Sequence, residues 1–289
     1  VENTTGELLY DLIKSKLKEF NLSLSNLVGQ CYDGASNMSG EFKGLASRIK
    51  ADYVTAVYVH CYAHRLNLAL QDACKDITEV RNTLGQINSI YNLIEGSTKR
   101  HYIFEKLQIK SNNSSLTLKY FGDTRWSSCV SVLENYEVIL DTLKEINLID
   151  KNSMAFPLYL SIFKFDFIFY LDVLTRFFNI TNILSIELQT INLDYSNVKQ
   201  LADSTINCLV EYKKTKFFEK FWNKNIKLAN DLGIDLPSNP RIKKKPKRFI
   251  DEDNQEKSID IKEITFNSYC LIIDKVSLAI KERFESSSI

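Results

Sequence analysis

Glycine and proline are scarce in this sequence, with nine glycines and four prolines in a chain of 289 residues. Turn-rich all-β folds need many such residues, so their scarcity argues against that class and favours long helices. The sequence also has no large excess of positive or negative charge, because 37 Lys and Arg residues and 36 Asp and Glu residues give a formal net charge of +1. Any affinity for nucleic acid must therefore come from local patches of charge.

Several catalytic and targeting motifs are missing as well. The six cysteines form no Cys-x-x-Cys pair, which is typical of buried free thiols in an intracellular protein. The sequence has no Gly-rich phosphate loop, Ser-centred nucleophile elbow or His-Glu-x-x-His motif. An α/β hydrolase-type enzyme is therefore a weaker alternative, because the sequence shows neither the nucleophile nor the base that such an enzyme needs. No signal peptide is present, and charged residues interrupt the richest apolar run, 158–178. We therefore expect no membrane span.

One stretch organises the first part of the chain. Residues 27–32 (LVGQCY) are a short apolar run that ends in Asp33, and small polar residues and a helical pattern follow. This pattern predicts a strand that delivers one carboxylate to the edge of a sheet. Because ligands collect at the carboxyl ends of strands in open α/β sheets, Asp33 is a candidate ligand for Mg²⁺ or Mn²⁺. The alternative is an Asx-type turn that simply ends the strand.

Residues on both sides of this stretch complete an α/β pattern. Residues 6–20 have apolar side chains at helical spacing, and we expect this amphipathic helix to pack on a sheet. Residues 40–51 predict a second helix. Residues 55–61 (TAVYVHC) are rich in β-branched and aromatic side chains and predict a second strand. The order helix, strand, helix, strand implies parallel or mixed pairing with helical crossovers.

The rest of the chain is predicted to be almost wholly helical. The helical pattern runs from about residue 64 to about residue 110, with a break at Gly96, and, after a loop at residues 111–115, from about residue 123 to about residue 232. Residues 158–191 are aromatic and apolar, which predicts helices buried on more than one face. Residues 237–259 indicate a charged linker, and residues 262–284 indicate a final amphipathic helix.

The linker contains a run of six cations within the eight residues 241–248. These are Arg241, Lys243, Lys244, Lys245, Lys247 and Arg248. Such a run is typical of phosphate-backbone contacts or of a nuclear import signal. The alternative is a solvated linker, whose local field is weakened by the acidic residues 251–253.

Two further pairs of residues have both a structural and a functional interpretation. Cys61 and His64 lie at a strand-to-helix junction with a spacing that suits two zinc ligands, or they are a thiol and a histidine that hold the junction together. Trp126 follows Arg125 at a predicted helix start. The tryptophan is either a core residue or a stacking platform for an unpaired base, with the arginine on a phosphate.

Three motifs together resemble a known family. Residues 31–38 (CYDGASNM), 60–68 (HCYAHRLNL) and 124–127 (TRWS) are similar in order and spacing to the core of hAT-superfamily transposases. The similarity is greatest to the transposon-derived group called zinc-finger MYM-type protein 1-like, and it extends over nearly the whole chain. Because the sequence begins with Val1 rather than Met, we expect it to be a fragment of a longer protein.

The resemblance implies a helix-rich α/β fold with a partial RNase H-like core followed by a large all-helical insertion domain. We accordingly expect the core with its following helices at residues 1–123 and the insertion domain at residues 124–236. The basic and acidic linker then occupies residues 237–259, and the C-terminal helix residues 260–289.

The resemblance also implies roles for individual residues. In the family, three acidic residues bind two divalent metals and cut DNA, and Asp33 matches the second of them. Cys61 and His64 match a motif that supports the core and the DNA ends, and Trp126 matches a tryptophan near the flipped base of the hairpin intermediate. Neither the first aspartate nor the final glutamate is recognisable, and Glu282 is not assigned the latter role.

We therefore expect a fragment of a hAT-type DNA transposase, or of a domesticated derivative, that binds DNA but is catalytically incomplete alone. Mg²⁺ or Mn²⁺ would be its metal, and transposon ends the DNA partner of the longer parent. The expected DNA-binding residues are Arg125, Trp126, Arg241, Lys243, Lys244, Lys245, Lys247 and Arg248. The parent is expected in the nucleus, with protein partners or a second copy contacted outside this sequence and no membrane. The alternative is a domesticated protein-interaction scaffold without a DNA role.

Overall fold

The computed structural model describes residues 4–111, 117–119, 127–151, 153–190, 193–239 and 260–285. It divides the chain into two compact units, residues 1–68 and residues 69–289. Within the described residues, the protein is rich in helix and contains a two-stranded parallel sheet. The predicted mixture of a short α/β beginning and a helical remainder is therefore confirmed, whereas the predicted domain boundaries at residues 123, 236 and 259 stay predictions.

The first unit contains both strands. Its elements are α1 (Gly6–Glu19), a 3₁₀ turn (Leu24–Asn26), β1 (Gly29–Tyr32), α2 (Ser36–Ser39), α3 (Leu45–Asp52), β2 (Val57–His60) and the beginning of α4 (Tyr62–Lys75). The two strands pair in parallel, with Gly29 opposite Val57 and Tyr32 opposite His60. The helix α3 lies between them in the chain, so the predicted helical crossover is confirmed, and of the two predicted pairings, parallel and mixed, the structure has the parallel one.

A small core holds the sheet and α3 together. Tyr10, Leu45, Ile49 and Ala56 are buried in one cluster. Gln30 is also buried, and its Nε2 donates hydrogen bonds to the carbonyl oxygens of Ala46 (3.1 Å) and Ala56 (3.2 Å). This polar side chain therefore ties β1 to α3 and to the entry of β2.

The helix α1 packs chiefly against α3, which corrects the expectation that it lies on a sheet. Much of its apolar face stays exposed, with Phe20 67% exposed and Leu8 and Leu12 also exposed. A two-stranded sheet is too narrow to cover the side of a four-turn helix. Of the residues in the two strands, Tyr32 packs against the cluster, and Leu27, which precedes β1, also packs there.

The predicted helix at residues 40–51 begins only at Leu45, and the short α2 precedes it. The reason is a tight turn between Gly40 and Gly44, in which the Gly44 nitrogen donates to the Gly40 oxygen at 3.0 Å. A Cβ atom on Gly44 would lie 2.6 Å from that oxygen, so this turn needs a residue without a side chain.

The second unit is built from helices. After α4 these are α5 (Thr78–Glu95), α6 (Thr98–Lys110), α7 (Ser127–Glu134), α8 (Tyr136–Ile149), α9 (Ala155–Ile162), α10 (Phe165–Glu187), a 3₁₀ turn (Tyr195–Asn197), α11 (Val198–Glu211), α12 (Thr215–Leu232) and α13 (Ile261–Glu285). The break predicted at Gly96 is confirmed, and α12 ends at Gly233, whose φ of 69° forms a left-handed cap.

The helix α10 forms the centre of this unit. It contacts α5, α7, α9, α11 and α12, and most of its side chains are buried, which confirms the predicted burial on several faces. By length and composition it is apolar enough to cross a membrane, in contrast to the expectation from the charged residues in its sequence. However, 78% of its most apolar window is buried inside the protein. This burial is typical of a soluble core helix, so its apolar character is weak evidence for a membrane span.

The six cysteines are free, as predicted, but only two of them are buried. Burial raises the pKa of the Cys74 thiol to about 12 and raises that of Cys129 further. Cys31 and Cys208 are exposed, so the expectation of buried thiols is wrong for them. Cys31 lies on a strand of the narrow sheet, where few side chains are available to cover it.

Candidate functional site

Asp33 lies immediately after β1, at the carboxyl end of the parallel pair, as the sequence predicts. Its Oδ1 accepts a hydrogen bond from the backbone nitrogen of Ala35 at 3.2 Å. The Asx-type turn offered as the alternative is therefore present. The side chain is nevertheless exposed, and one carboxylate oxygen makes no hydrogen bond to the described residues. The same residue thus forms the turn and presents an oxygen to solvent.

The end of β2 brings two side chains to the Asp33 loop. Tyr58 donates a hydrogen bond through its hydroxyl to the Asp33 carbonyl oxygen at 3.4 Å. The His60 ring lies so close to Gly34 that a Cβ atom there would be 2.8 Å from its Cε1. Gly34 therefore allows the imidazole of the neighbouring strand to pack against the loop.

Cys61 lies between β2 and α4, and His64 lies in the first turn of α4, where the sequence predicts a strand-to-helix junction. The Cys61 nitrogen donates to the Tyr32 oxygen at 2.9 Å, and the Cys61 oxygen accepts from the Arg65 nitrogen at 2.9 Å. The ring of His64 is 5.4 Å from that of His60, measured between centroids. Cys61 therefore connects the sheet to the first turn of α4 through its backbone, while the role of its thiol stays a prediction.

The cysteine thiols of the two strands are near each other. Although Cys31 is exposed overall, partial desolvation of its thiol, followed by the neighbouring Cys61 thiol, raises the pKa of Cys31. A raised pKa keeps the thiol protonated near neutral pH, and a protonated thiol is a poor nucleophile and a poor metal ligand.

The carboxyl ends of the strands thus collect Asp33, Tyr58, His60, Cys61 and His64. Among the residues that the structure describes, no group of three or more His, Cys, Asp or Glu side chains could hold a metal ion. A two-metal centre needs several carboxylates that converge on both ions. The described residues do not fit such a centre by themselves, and the assignment of Mg²⁺ or Mn²⁺ to Asp33 stays a prediction.

Residues 1–44 match the family model described as ZMYM1/FAM200, RNase-like domain (DUF4371). The matched RNase-like segment includes β1, Asp33 and α2, and it ends before α3. It supports the similarity to a transposon-derived ZMYM/FAM200 family, while membership of the hAT superfamily stays a prediction. No solved structure matches the chain.

Tyr58 and His60 are not among the residues that the sequence motifs single out, although both contact the loop that follows β1. Both lie on β2 and are separated by one residue, so they project from the same face of that strand. The alternation of side chains along β2 could be read from the sequence. The strand register that places Tyr58 and His60 beside residues 33 and 34 could not be read from it.

The predicted DNA-binding residues lie outside the described residues. This applies to Arg125 and Trp126 and to the basic run at 241–248. The nearest described element is α7, which begins at Ser127. Their roles on phosphate and base therefore stay predictions.

Proposed function

We propose that this chain is part of a transposase-derived protein that binds DNA and does not cut it alone. The observation that carries the proposal is the position of Asp33. It lies inside the RNase-like segment and at the carboxyl end of a parallel strand pair, which is where open α/β sheets place their ligands. The finer assignment to the hAT type rests on the three sequence motifs at residues 31–38, 60–68 and 124–127.

The lack of cleavage follows in this proposal from electrostatics. Two divalent ions repel each other and give up part of their hydration only to several carboxylate oxygens. Asp33 offers one carboxylate, and an oxygen of that group already accepts the Ala35 hydrogen bond. Cleavage therefore needs further acidic ligands beyond those that the described residues gather around Asp33.

The proposed DNA contacts come from the sequence. The run at 241–248 supplies cations for phosphates, which gives affinity without sequence preference. Arg125 and Trp126 supply a cation beside an aromatic ring, a combination that holds an unpaired base. The same basic run serves in this proposal as the signal for nuclear import, because six cations within eight residues are typical of such signals.

The binding part of the proposal is tested by the salt dependence of DNA affinity. We expect a steep dependence for the unmodified chain, measured by fluorescence anisotropy with a labelled duplex. Changing residues 243–245 (KKK) to glutamate should reduce the slope of log K against log salt by about 2 or more, since each phosphate contact contributes about 0.9. The matched control changes the exposed Lys99, Lys106 and Lys110 of α6 to glutamate and should leave the slope nearly unchanged.

The cleavage part is tested by incubation of the chain with Mn²⁺ and supercoiled DNA. We expect no nicking above background. If the chain nicked the DNA and Asp33→Ala abolished the nicking while Asp11→Ala did not, the proposed inactivity would be wrong. Asp11 is a suitable control because it is an exposed carboxylate of α1 in the same unit.

The alternative function is a protein-interaction scaffold without a DNA role. Large exposed apolar side chains in the first unit favour it, with Phe42 85% exposed and Val28 78% exposed, because a partner protein could cover them. A scaffold of this kind would bind DNA no better than other near-neutral proteins. Its shallow salt slope would not respond to the change at residues 243–245.

A further inference from the structure

A cavity of about 340 Å³ lies in the helical unit between α10, α12 and the turn that joins α11 to α12. Basic and aromatic side chains from these elements line it: Arg176, Lys220, Lys224, Tyr212, Phe217 and Phe221. Small-molecule sites in proteins usually measure about 300 to 1,000 Å³. The cavity therefore has room for a small ligand.

Among the described residues, one carboxylate lines the cavity, and it is neutralised. Asp172 is buried on α10 and accepts a hydrogen bond from Lys224 Nζ at 2.7 Å and another from Asn225 Nδ2 at 3.1 Å. A buried carboxylate without such partners would repel an anion. Because Lys224 balances Asp172, the pair adds little net charge to the cavity.

The other two cations are not balanced by acidic side chains. Arg176 donates from Nε to the Tyr212 hydroxyl, and its guanidinium carbon lies 5.3 Å from the Tyr212 ring centroid. A guanidinium has five N–H donors, so most of its donors remain. Among the described residues, neither Arg176 nor Lys220 forms an ion pair with a carboxylate. The cavity thus presents two positive charges, one of them in the planar geometry that suits phosphate oxygens.

Aromatic rings form the remaining wall. The Tyr212 and Phe217 ring centroids are 4.6 Å apart, and those of Tyr212 and Phe221 are 6.4 Å apart. A free inorganic anion would gain little from these rings, and an apolar ligand would gain little from the cations. The combination suits a ligand that carries both a phosphate and a flat ring.

We propose that this cavity binds a nucleotide, with its phosphate on Arg176 and Lys220 and its base against the aromatic wall. A phosphate monoester carries about −1.5 to −2 charges at neutral pH, which the two uncompensated cations match. The ligand is either a free nucleotide or a nucleotide within a strand. This assignment uses no residue of the RNase-like segment or of the basic run, so it is independent of the proposed function.

The test is isothermal titration calorimetry of the full chain with AMP and, separately, with inorganic phosphate. AMP should saturate one site and bind at least about tenfold more tightly than phosphate, because base stacking adds to the charge contacts. Lys220→Gln should weaken AMP binding about tenfold, the usual effect of losing one charge-assisted hydrogen bond. Arg176→Gln provides a second, independent removal of charge.

The matched control is Lys227→Gln, which removes an exposed lysine from α12 that does not line the cavity. It should leave AMP binding unchanged, and thermal unfolding should show that all three variants are folded. The proposal is overturned if AMP does not saturate, if AMP binds no tighter than phosphate, or if Lys227→Gln weakens binding as much as Lys220→Gln does.

A short single-stranded oligonucleotide separates the two sources of the nucleotide. If the oligonucleotide displaces AMP, and if Lys220→Gln weakens that displacement, the site is assigned to a nucleotide within a strand. AMP that stays bound in the presence of excess oligonucleotide would assign it to a free nucleotide. Changing residues 243–245 to glutamate should not alter AMP binding in either case. A failure of the DNA-binding proposal can therefore be distinguished from a failure of the nucleotide proposal.

Discussion

The two units of this chain bury apolar side chains to very different extents. In the second unit, α10 is covered by several helices, and Phe169 contacts Phe218 and Trp222 at its centre. In the first unit, a two-stranded sheet leaves large apolar side chains such as Phe42 in solvent. A sheet of two strands offers little area for packing, whereas a central helix can be covered on all sides. The first unit therefore depends more on individual polar contacts.

The largest expected effect tests the core of the helical unit. Phe169→Ala removes a fully buried ring and should lower the free energy of unfolding by about 3–5 kcal/mol. The matched variant, Phe42→Ala, removes the same side chain from an exposed position in the first unit and should change stability by about 0.5 kcal/mol or less. Chemical denaturation followed by circular dichroism measures both, and equal effects would contradict the contrast between the units.

A smaller effect tests the polar contact that connects β1 to α3. Gln30→Ala removes a buried side chain and two hydrogen bonds to backbone oxygens, and it should cost about 1–3 kcal/mol of unfolding free energy. Gln189→Ala removes an exposed glutamine from the helical unit and should change stability by about 0.5 kcal/mol or less. If Gln30→Ala were equally mild, the first unit would not depend on this contact.

A substitution at Gly34, in the loop that contains Asp33, should lower the free energy of unfolding less than Gln30→Ala does. Gly34→Ala places a Cβ atom 2.8 Å from the His60 ring and should cost about 1 kcal/mol, because the imidazole must move. The added variant His60→Ala makes room for that atom, so the double variant should be less destabilised than the sum of the two single variants. Additive effects in denaturation would show that loop and ring do not contact each other in solution.

The smallest expected effect is a pH dependence in the helical unit. His101 lies between Glu95 (Nδ1 to Oε2, 2.9 Å) and Glu105 (Nε2 to Oε1, 3.3 Å). Burial lowers the pKa of His101, but the hydrogen bonds and charges of the two carboxylates outweigh it and raise the pKa above its usual value. The charged form is thus favoured in the folded state.

The sign of the effect follows from this shift. The stabilisation by His101 is complete below the unfolded-state pKa of about 6.5 and is lost as the pH rises through the raised folded-state pKa. His101→Gln should remove this part of the pH dependence, measured as urea midpoints below and above neutral pH. A variant with the same pH profile as the unmodified chain would contradict the assignment.

Part of the candidate site was predictable because it depends on local sequence. Asp33 follows an apolar run directly, so its position at a strand end could be inferred from neighbouring residues. Tyr58 and His60 are 25 and more residues away, and only the pairing register brings them to the loop. The Asx turn was predictable as an alternative, but the sequence did not indicate that both interpretations hold for the same side chain.

The nucleotide cavity shows the same limit in the helical unit. Asp172 and Arg176 appeared in the sequence only as charges that interrupt an apolar run. Their partners Lys224 and Tyr212 are more than 30 residues further along the chain. Helical periodicity identifies which residues share a face, but it does not specify which other helix covers that face.

The sequence by itself determined the order of helices and strands, the helical crossover and the buried character of α10, because periodicity and propensity act over a few residues. It left parallel and mixed pairing of the strands open, and the tertiary structure decided for the parallel pair. The tertiary structure alone decided that α1 lies on α3, that two strands leave its apolar face exposed, and that the charges of α10 meet the cations and rings of α12. These outcomes depend on contacts between residues far apart in the chain, which are set by the packing of whole elements.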